Sequence, residues 1–211
     1  MNPARVSSLM SHRRFALFGL AVALLALPLS SLATSVIPPQ FDDLVGQSDY
    51  VVRAVVTSVT SEWQTDGTNK HIITKVALDV SEVYKGVPPQ PLVLEMLGGR
   101  VGEIAMTVEG APKFNAGDEG IFFIHGNGQQ FSPLVGIMHG VYPILHDSKS
   151  GQDLVLKSNG MPLYSEQDVS LPMTTLSPTK AKNPTLQPMT AAAFVEKVRA
   201  SALGTKQPAP R

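Results

Sequence analysis

The amino-acid sequence predicts a mainly β fold, in which an antiparallel sheet or small barrel is followed by a β-hairpin and one C-terminal α-helix. Apolar and polar residues alternate through residues 71–84, which is the period-two pattern of a strand with one solvated face. Turn-forming Gly, Pro, Asn and Asp residues interrupt the apolar segments at short intervals. Helical spacing over several turns occurs near the C-terminus, where Phe194, Val198 and Ala202 follow one another at four-residue steps.

The first half of this region is predicted to contain one helical turn and five strands. Phe41, Leu44 and Val45 have helical spacing after a Pro-Pro pair. We expect strands at residues 50–59, 71–84, 92–97, 104–108 and 121–124. Residues 60–69 are polar and are predicted to form a loop that contains the only tryptophan, Trp63. One core is expected to bury Val76, Leu78, Val80, Phe122 and Ile124.

The C-terminal part is predicted to add a hairpin, a linker and a helix. Strands at residues 141–145 and 153–157 flank a turn-rich segment. Four prolines within residues 171–188 favour an extended chain. Thr190 is a favourable N-cap for a helix that Gly204 ends. The predicted organisation is a β-barrel domain with its hairpin at 34–168, a Pro-rich linker at 169–189, a helix at 190–204 and a disordered tail at 205–211.

Residues 1–33 have the pattern of a secretory signal peptide. Arg5, Arg13 and Arg14 precede a nearly uninterrupted apolar run at residues 15–29, which is shorter than the ~20 residues of a membrane-spanning helix. The run ends at Ser31-Leu32-Ala33, which places small residues at the positions that signal peptidase requires. We therefore predict a periplasmic or secreted protein that begins at Thr34. An uncleaved N-terminal anchor is the alternative.

The composition of the predicted mature chain excludes several classes of site. The whole chain has 17 basic and 17 acidic residues, and residues 1–33 hold three basic and no acidic ones, which leaves 14 against 17. A net charge of −3 gives no electrostatic reason to bind nucleic acid. The chain has no cysteine, so disulfides and thiolate metal sites are excluded and the hydrophobic core alone must stabilise the fold.

Three short motifs occur in order between residues 49 and 124. They are DYVVRA at residues 49–54, VYKG at 83–86, and F-x-x-GDE at 114–119 before the apolar run IFF. In this order they resemble the netrin-type module, the OB-like β-barrel used by tissue inhibitors of metalloproteinases. The resemblance implies an OB-like antiparallel barrel, here in an exported bacterial protein, and favours binding or inhibition over catalysis.

The predicted mature N-terminus departs from that family. The inhibitors begin with Cys-x-Cys, whose terminal amine and carbonyl chelate the zinc of the target enzyme. This chain has Thr34-Ser35-Val36 at the corresponding place and no cysteine. The inhibitory residues of the family are therefore not carried over, and the resemblance extends to the scaffold alone.

Catalytic signatures are missing from the sequence. It has no His-Glu-x-x-His, Gly-x-Ser-x-Gly, phosphate-binding or dinucleotide motif, so we assign no catalytic residue, no metal ligand and no cofactor. Two alternatives stay open. One is a periplasmic metal-binding protein that uses His139, His146 and Asp147, although one regular strand would direct the two imidazoles to opposite faces. The other is a hydrolase with an unrecognised site.

We therefore predict an exported, non-enzymatic binding module that inhibits or assists another secreted protein. Trp63 and Asp66 in the polar segment are the candidate binding residues, because a tryptophan offers a large amphipathic face to a partner. The alternative for Trp63 is a plug that covers one end of the barrel. Lys85-Gly86 and Gly98-Gly99-Arg100 are interpreted as turns rather than anion sites. The expected partner is a protein in the cell envelope or outside the cell.

Overall fold

The computed structural model describes residues 37–204. The predicted signal peptide at residues 1–33 and the predicted tail at 205–211 lie outside the described residues. The helices are α1 (Phe41–Gln47), α2 (Pro178–Lys182) and α3 (Ala191–Gly204), with 3-10 turns at Ile137–Gly140 and Glu166–Ser170. The strands are β1 (Tyr50–Asp66), β2 (Asn69–Lys85), β3 (Leu92–Leu97), β4 (Gly99–Val101), β5 (Ile104–Met106), β6 (Glu119–Ile124), β7 (Val141–Asp147) and β8 (Gln152–Val155).

Six strands form one antiparallel sheet in the order β3-β2-β1-β6-β7-β8, and β4 pairs with β5 in a separate hairpin. The predicted mainly β class, the added β7–β8 hairpin and the C-terminal helix are thereby confirmed. The predicted barrel is not closed within the described residues: the sheet has two ends, β3 and β8, and no hydrogen-bonded ladder joins them. None of the helices in this part of the chain has the length and apolarity needed to cross a membrane.

A loop covers part of the outer edge of β3. The Asn127 side chain donates to the carbonyl of Val93 at 2.7 Å and accepts from the backbone N–H of Glu95 at 3.0 Å. Further along, the N–H of Leu97 donates to the carbonyl of Phe131 at 2.8 Å. These bonds satisfy backbone groups that an edge strand would otherwise expose to pairing with another chain.

The sheet carries a core on each face. One core contains the buried residues Val76, Leu78, Phe122 and Ile124, as predicted, whereas Val80 is only half-buried and packs against it. The second core lies where helices cover the other face. There the ring of Phe194 in α3 is 5.0 Å from the ring of Tyr142 in β7 and 6.1 Å from that of Phe123 in β6. Alternation along the strands separates the two sets of side chains.

The predicted loop at residues 60–69 is wrong. From Ser58 onward β1 pairs with β2 without a register shift as far as Asp66 and Asn69, and a two-residue turn at Gly67-Thr68 joins the strands. Gly67 has a φ of 58°, a conformation that two-residue hairpin turns require. Most side chains in residues 57–66 are exposed, so the apolar alternation that indicates a half-buried strand is absent although the backbone pairing continues.

Lys85-Gly86 is a structural joint at the end of β2, as its interpretation as a turn predicts. The Lys85 ammonium group caps the C-terminal end of α1, and burial lowers its pKa. It donates to the carbonyls of Val45 at 2.7 Å, Gly46 at 3.0 Å and Ser48 at 2.7 Å. Gly86 has a φ of 73°, and a methyl group there would overlap the carbonyl oxygen of Asp49. The two residues thus fix where β2 ends beside the entry into β1.

The proline-containing segment is anchored to the domain at both ends. Ser177 donates to the Asp168 carboxylate at 2.8 Å and accepts from the N–H of Lys180, which makes Ser177 the N-cap of α2. At the other end the N–H of Met189 donates to the carbonyl of Leu163 at 2.7 Å. The predicted C-terminal helix follows as α3.

Candidate binding site

Trp63 lies near the tip of the β1–β2 hairpin and is 37% exposed. It is directly opposite Ile72 in the strand register, and the ammonium group of Lys70 lies 4.6 Å from the centre of its ring. This distance is within the range of a cation–π contact. Trp63 belongs to neither core cluster, so the described residues do not place it as a plug over a core.

Asp66 occupies the last position of β1, opposite Asn69, and is exposed. It lies three residues after Trp63 in the same strand, next to the turn that joins β1 to β2. The structure therefore brings the two predicted binding residues to one end of a two-stranded ribbon, where backbone pairing with β2 fixes their register.

β1 has a second strand partner over only part of its length. β6 pairs with β1 from Tyr50 to Val55, and Gly117 and Asp118 extend the contact by two backbone hydrogen bonds to Val56. Within residues 37–204 no strand pairs with the same edge of β1 beyond that point. Residues 58–65, about 27 Å of strand at ~3.4 Å per residue, present a free edge.

The β4–β5 hairpin crosses one face of this ribbon. The hydroxyls of Ser61 and Thr74 are 2.9 Å apart, and the Thr74 hydroxyl donates to the carbonyl of Gly98 at 2.7 Å. Gly99 sits directly above both hydroxyls, where a β-carbon would overlap them. Glycine is therefore required for β4 to approach the ribbon this closely.

A groove of about 450 Å³ lies between the β4–β5 hairpin and residues 111–115. Val59 and Ser61 of β1 contribute to its floor, which places the groove beside the free edge. Apolar side chains dominate the remaining lining, and they include Met96, Met106, Val108 and Phe114. Met106 is 38% exposed and so offers apolar surface to an occupant of the groove.

Two basic residues, Arg100 and Lys113, line the same groove, and none of its lining residues is acidic. Both side chains are exposed, and neither forms an ion pair with any residue in the described part of the chain. The lining of the groove is thus mainly apolar, and Arg100 and Lys113 add two positive charges to it.

A second cavity, of about 420 Å³, lies between β1, β2, β8 and α3, but its charges are already paired. Arg53 bonds to Glu119 and Asp153 at 2.6 Å each. Burial alone lowers the pKa of Arg53, and the hydrogen bonds to these carboxylates outweigh it and raise the pKa. Arg199 from α3 approaches Glu82 at 3.9 Å. This network ties β8 and α3 to the sheet and leaves no cation available for a ligand.

A buried polar cluster connects the 3-10 turns to the segment after β8. Lys157 is buried, and desolvation lowers its pKa against the attraction of Asp168. Its ammonium group is 3.5 Å from the carbonyl of Thr175. The nearby His139 is also buried, and burial together with Lys157 lowers its pKa to about 4. Ser177 caps α2 and also bonds to Asp168, so this cluster joins α2 to the 3-10 turn that contains Asp168. Its role is therefore structural.

The three residues of the metal-binding alternative lie in different surroundings. His139 is in the 3-10 turn Ile137–Gly140 rather than in a strand, whereas His146 is exposed in β7 and bonds to Asp153 at 3.0 Å. Asp147 instead accepts from the backbone and side chain of Ser150 in the β7–β8 turn. Among residues 37–204 no group of three or more His, Asp or Glu side chains is placed to hold a metal ion.

Comparison with protein-family models finds no matching family, and comparison with curated proteins finds no matching relative. The assignment of the candidate binding site therefore depends on the geometry of the described residues alone. The sequence singled out Trp63 and Asp66. The interpretation of Gly98-Gly99-Arg100 as a turn is wrong for its last two residues, because Gly99 and Arg100 pair with β5 as the first residues of β4. The sequence did not indicate that Arg100 and Lys113 would line one groove, because they come from separate segments whose contact depends on how β4–β5 folds over the ribbon.

Proposed function

We propose that this protein is an exported, non-enzymatic binding module that recognises another protein through the tip of the β1–β2 hairpin. The observation that carries the proposal is the exposure of Trp63 on a ribbon that extends beyond β6. Large amphipathic side chains supply much of the affinity at protein interfaces. Asp66 at the same tip adds a charge that helps to select the partner.

The netrin-type resemblance is part of this proposal. Its three motifs meet around β1: residues 49–54 form the start of that strand, residues 83–86 end β2 beside Asp49, and residues 114–119 lead into β6. Phe114 packs against Phe122 with ring centres 5.8 Å apart. This clustering supports a shared scaffold, while the inhibitory use of the family's N-terminus has no counterpart in the residues of this chain.

The proposal is tested by photo-crosslinking from the hairpin tip. A photoreactive residue placed at Gln64, beside Trp63, is expected to give one discrete adduct in the exported fraction. Mass spectrometry of that adduct is also expected to find Thr34 as its first residue. The same photoreactive group at exposed Lys182 in α2 is the positional control and is expected to give no such adduct.

Trp63→Ala is expected to weaken capture of the crosslinked partner by ~2 kcal/mol or more, about 30-fold, while changing unfolding by less than about 1 kcal/mol. Phe131→Ala is the matched control, because Phe131 is an exposed aromatic residue (52%) away from the tip. Equal effects of the two variants would contradict the proposal. Turnover of peptide, ester or glycoside substrates that is lost when one His or Asp is changed would overturn the non-enzymatic assignment.

A further inference from the structure

We propose that the free edge of β1 binds an extended, acidic segment of the partner protein as an added strand, with alternate side chains in the groove beside it. This inference rests on the proposed binding function and names the chemical class of the segment that is recognised. It joins three observations: the unpaired edge of β1, the apolar groove that shares its floor, and the two basic residues of that groove.

The backbone of β1 beyond residue 57 is open to a further strand. An edge strand exposes a row of N–H and C=O groups that pair readily with another extended chain. The protein occupies the edge of β3 with Asn127 and Phe131, yet the edge of β1 from residue 58 to residue 65 has no equivalent cover in the described part of the chain. Charge does not block it either, because the Glu62 carboxylate is paired with Lys75 at 2.6 Å.

The groove lies where alternate side chains of an added strand would reach it. Successive side chains of a strand point to opposite faces, and neighbours on adjacent strands share a face. If an added strand paired with β1 beside Val59 and Ser61, every second side chain of that strand would therefore lie on the face that carries the groove. Met96 and Met106 line that groove, and the flexible thioether side chain of methionine adapts to apolar groups of different shape.

The charge of the groove favours an acidic segment. The groove is lined by Arg100 and Lys113 and by no acidic residue, although the predicted mature chain as a whole is acidic. Carboxylates are the natural partners of both cations, and such charge-assisted bonds are stronger than neutral ones. The best occupant is an extended segment that has apolar side chains at alternate positions and also carries carboxylates. Such a segment would pair with the backbone of the free edge, fill the apolar groove and form ion pairs with Arg100 and Lys113.

The test uses fluorescein-labelled eight-residue peptides that alternate valine and threonine. One version carries two aspartates, and the matched version carries two lysines at the same places. Fluorescence anisotropy with the full chain at low salt is expected to show that the acidic peptide binds at least ~10-fold more tightly. The Arg100→Glu/Lys113→Glu double variant is expected to reverse this preference. Lys149→Glu, an exposed charge reversal in the β7–β8 turn, is expected to retain it.

Backbone pairing has its own readout. The acidic peptide is expected to slow amide hydrogen exchange within residues 58–65, and N-methylation of its alternate amides is expected to abolish binding. Equal binding of the acidic and lysine peptides, or protection confined to other strands, would overturn the inference. So would binding of phosphatidylglycerol vesicles through Arg100 and Lys113 when the peptides fail to bind. Crosslinking at Gln64 would persist in that case, which separates failure of this inference from failure of the proposed function.

Discussion

The joint at Gly86 allows the packing argument to be tested against a matched control in the same protein. Gly86 and Gly67 both have positive φ, at 73° and 58°. A methyl group at Gly86 would overlap the carbonyl oxygen of Asp49, whereas nothing lies within 4 Å of a methyl group at Gly67. Comparison of Gly86→Ala with Gly67→Ala therefore isolates the cost of the overlap.

The magnitude follows from two contributions. An L-residue in the left-handed region costs roughly 1–2 kcal/mol, and this cost applies to both variants. Overlap with the backbone adds about 1–3 kcal/mol in Gly86→Ala. The carbonyl of Asp49 has little freedom to move, because the N–H of Asp49 donates to Ile124 at 2.8 Å and its carboxylate accepts from Gly126 at 2.8 Å.

Urea unfolding followed by far-ultraviolet circular dichroism measures both variants. We expect Gly86→Ala to be less stable than Gly67→Ala by about 1–3 kcal/mol, which corresponds to a melting temperature lower by roughly 2–12 °C for a chain of this size. The gain in stability from a less flexible unfolded chain is similar for both variants and cancels. A difference below about 0.5 kcal/mol would show that the contact of Gly86 with Asp49 does not constrain the joint.

Two further predictions concern the core and the pH dependence of stability. Phe122→Ala is expected to lower the free energy of unfolding by about 3–5 kcal/mol, because Phe122 is buried in the core that holds Val76 and Leu78; a loss under about 1 kcal/mol in urea unfolding would contradict this. Burial lowers the pKa of His139 to about 4 in the folded chain, against 6.5 in the unfolded chain. The unfolded chain thus binds the extra proton first, and stability is expected to fall by as much as roughly 3 kcal/mol as the pH drops from 6.5 to 4. His139→Gln is expected to flatten that part of the curve, and an unchanged curve would refute the assignment.

Local sequence patterns predicted the elements that bury at least one face. β3, β6 and β7 follow from their apolar runs and the turns around them, and α3 follows from the spacing of Phe194 and Val198. The same reasoning identified the core around Phe122. These predictions succeed because a buried face imposes its period on nearby residues of the chain.

The distal half of β1, residues 57–66, left no such pattern. Its side chains are largely exposed, so polar residues occupy both faces, and the register is set by backbone pairing that continues from the buried half of the strand. Trp63 could be singled out from composition. Its place on a paired ribbon rather than in a loop could not be, because hydrogen bonds between backbones do not depend on side-chain identity.

The sequence by itself determined a cysteine-free, mainly β chain with an apolar core, a C-terminal helix and a pattern typical of export at its N-terminus. Only the tertiary structure decided which side chains meet across long separations. Arg53 pairs with Asp153, 100 residues away, and Arg100 and Lys113 line one groove although each looks like an ordinary surface charge in the sequence. A local pattern records whether a residue is buried, whereas the partner of a charge depends on where distant strands and helices are packed.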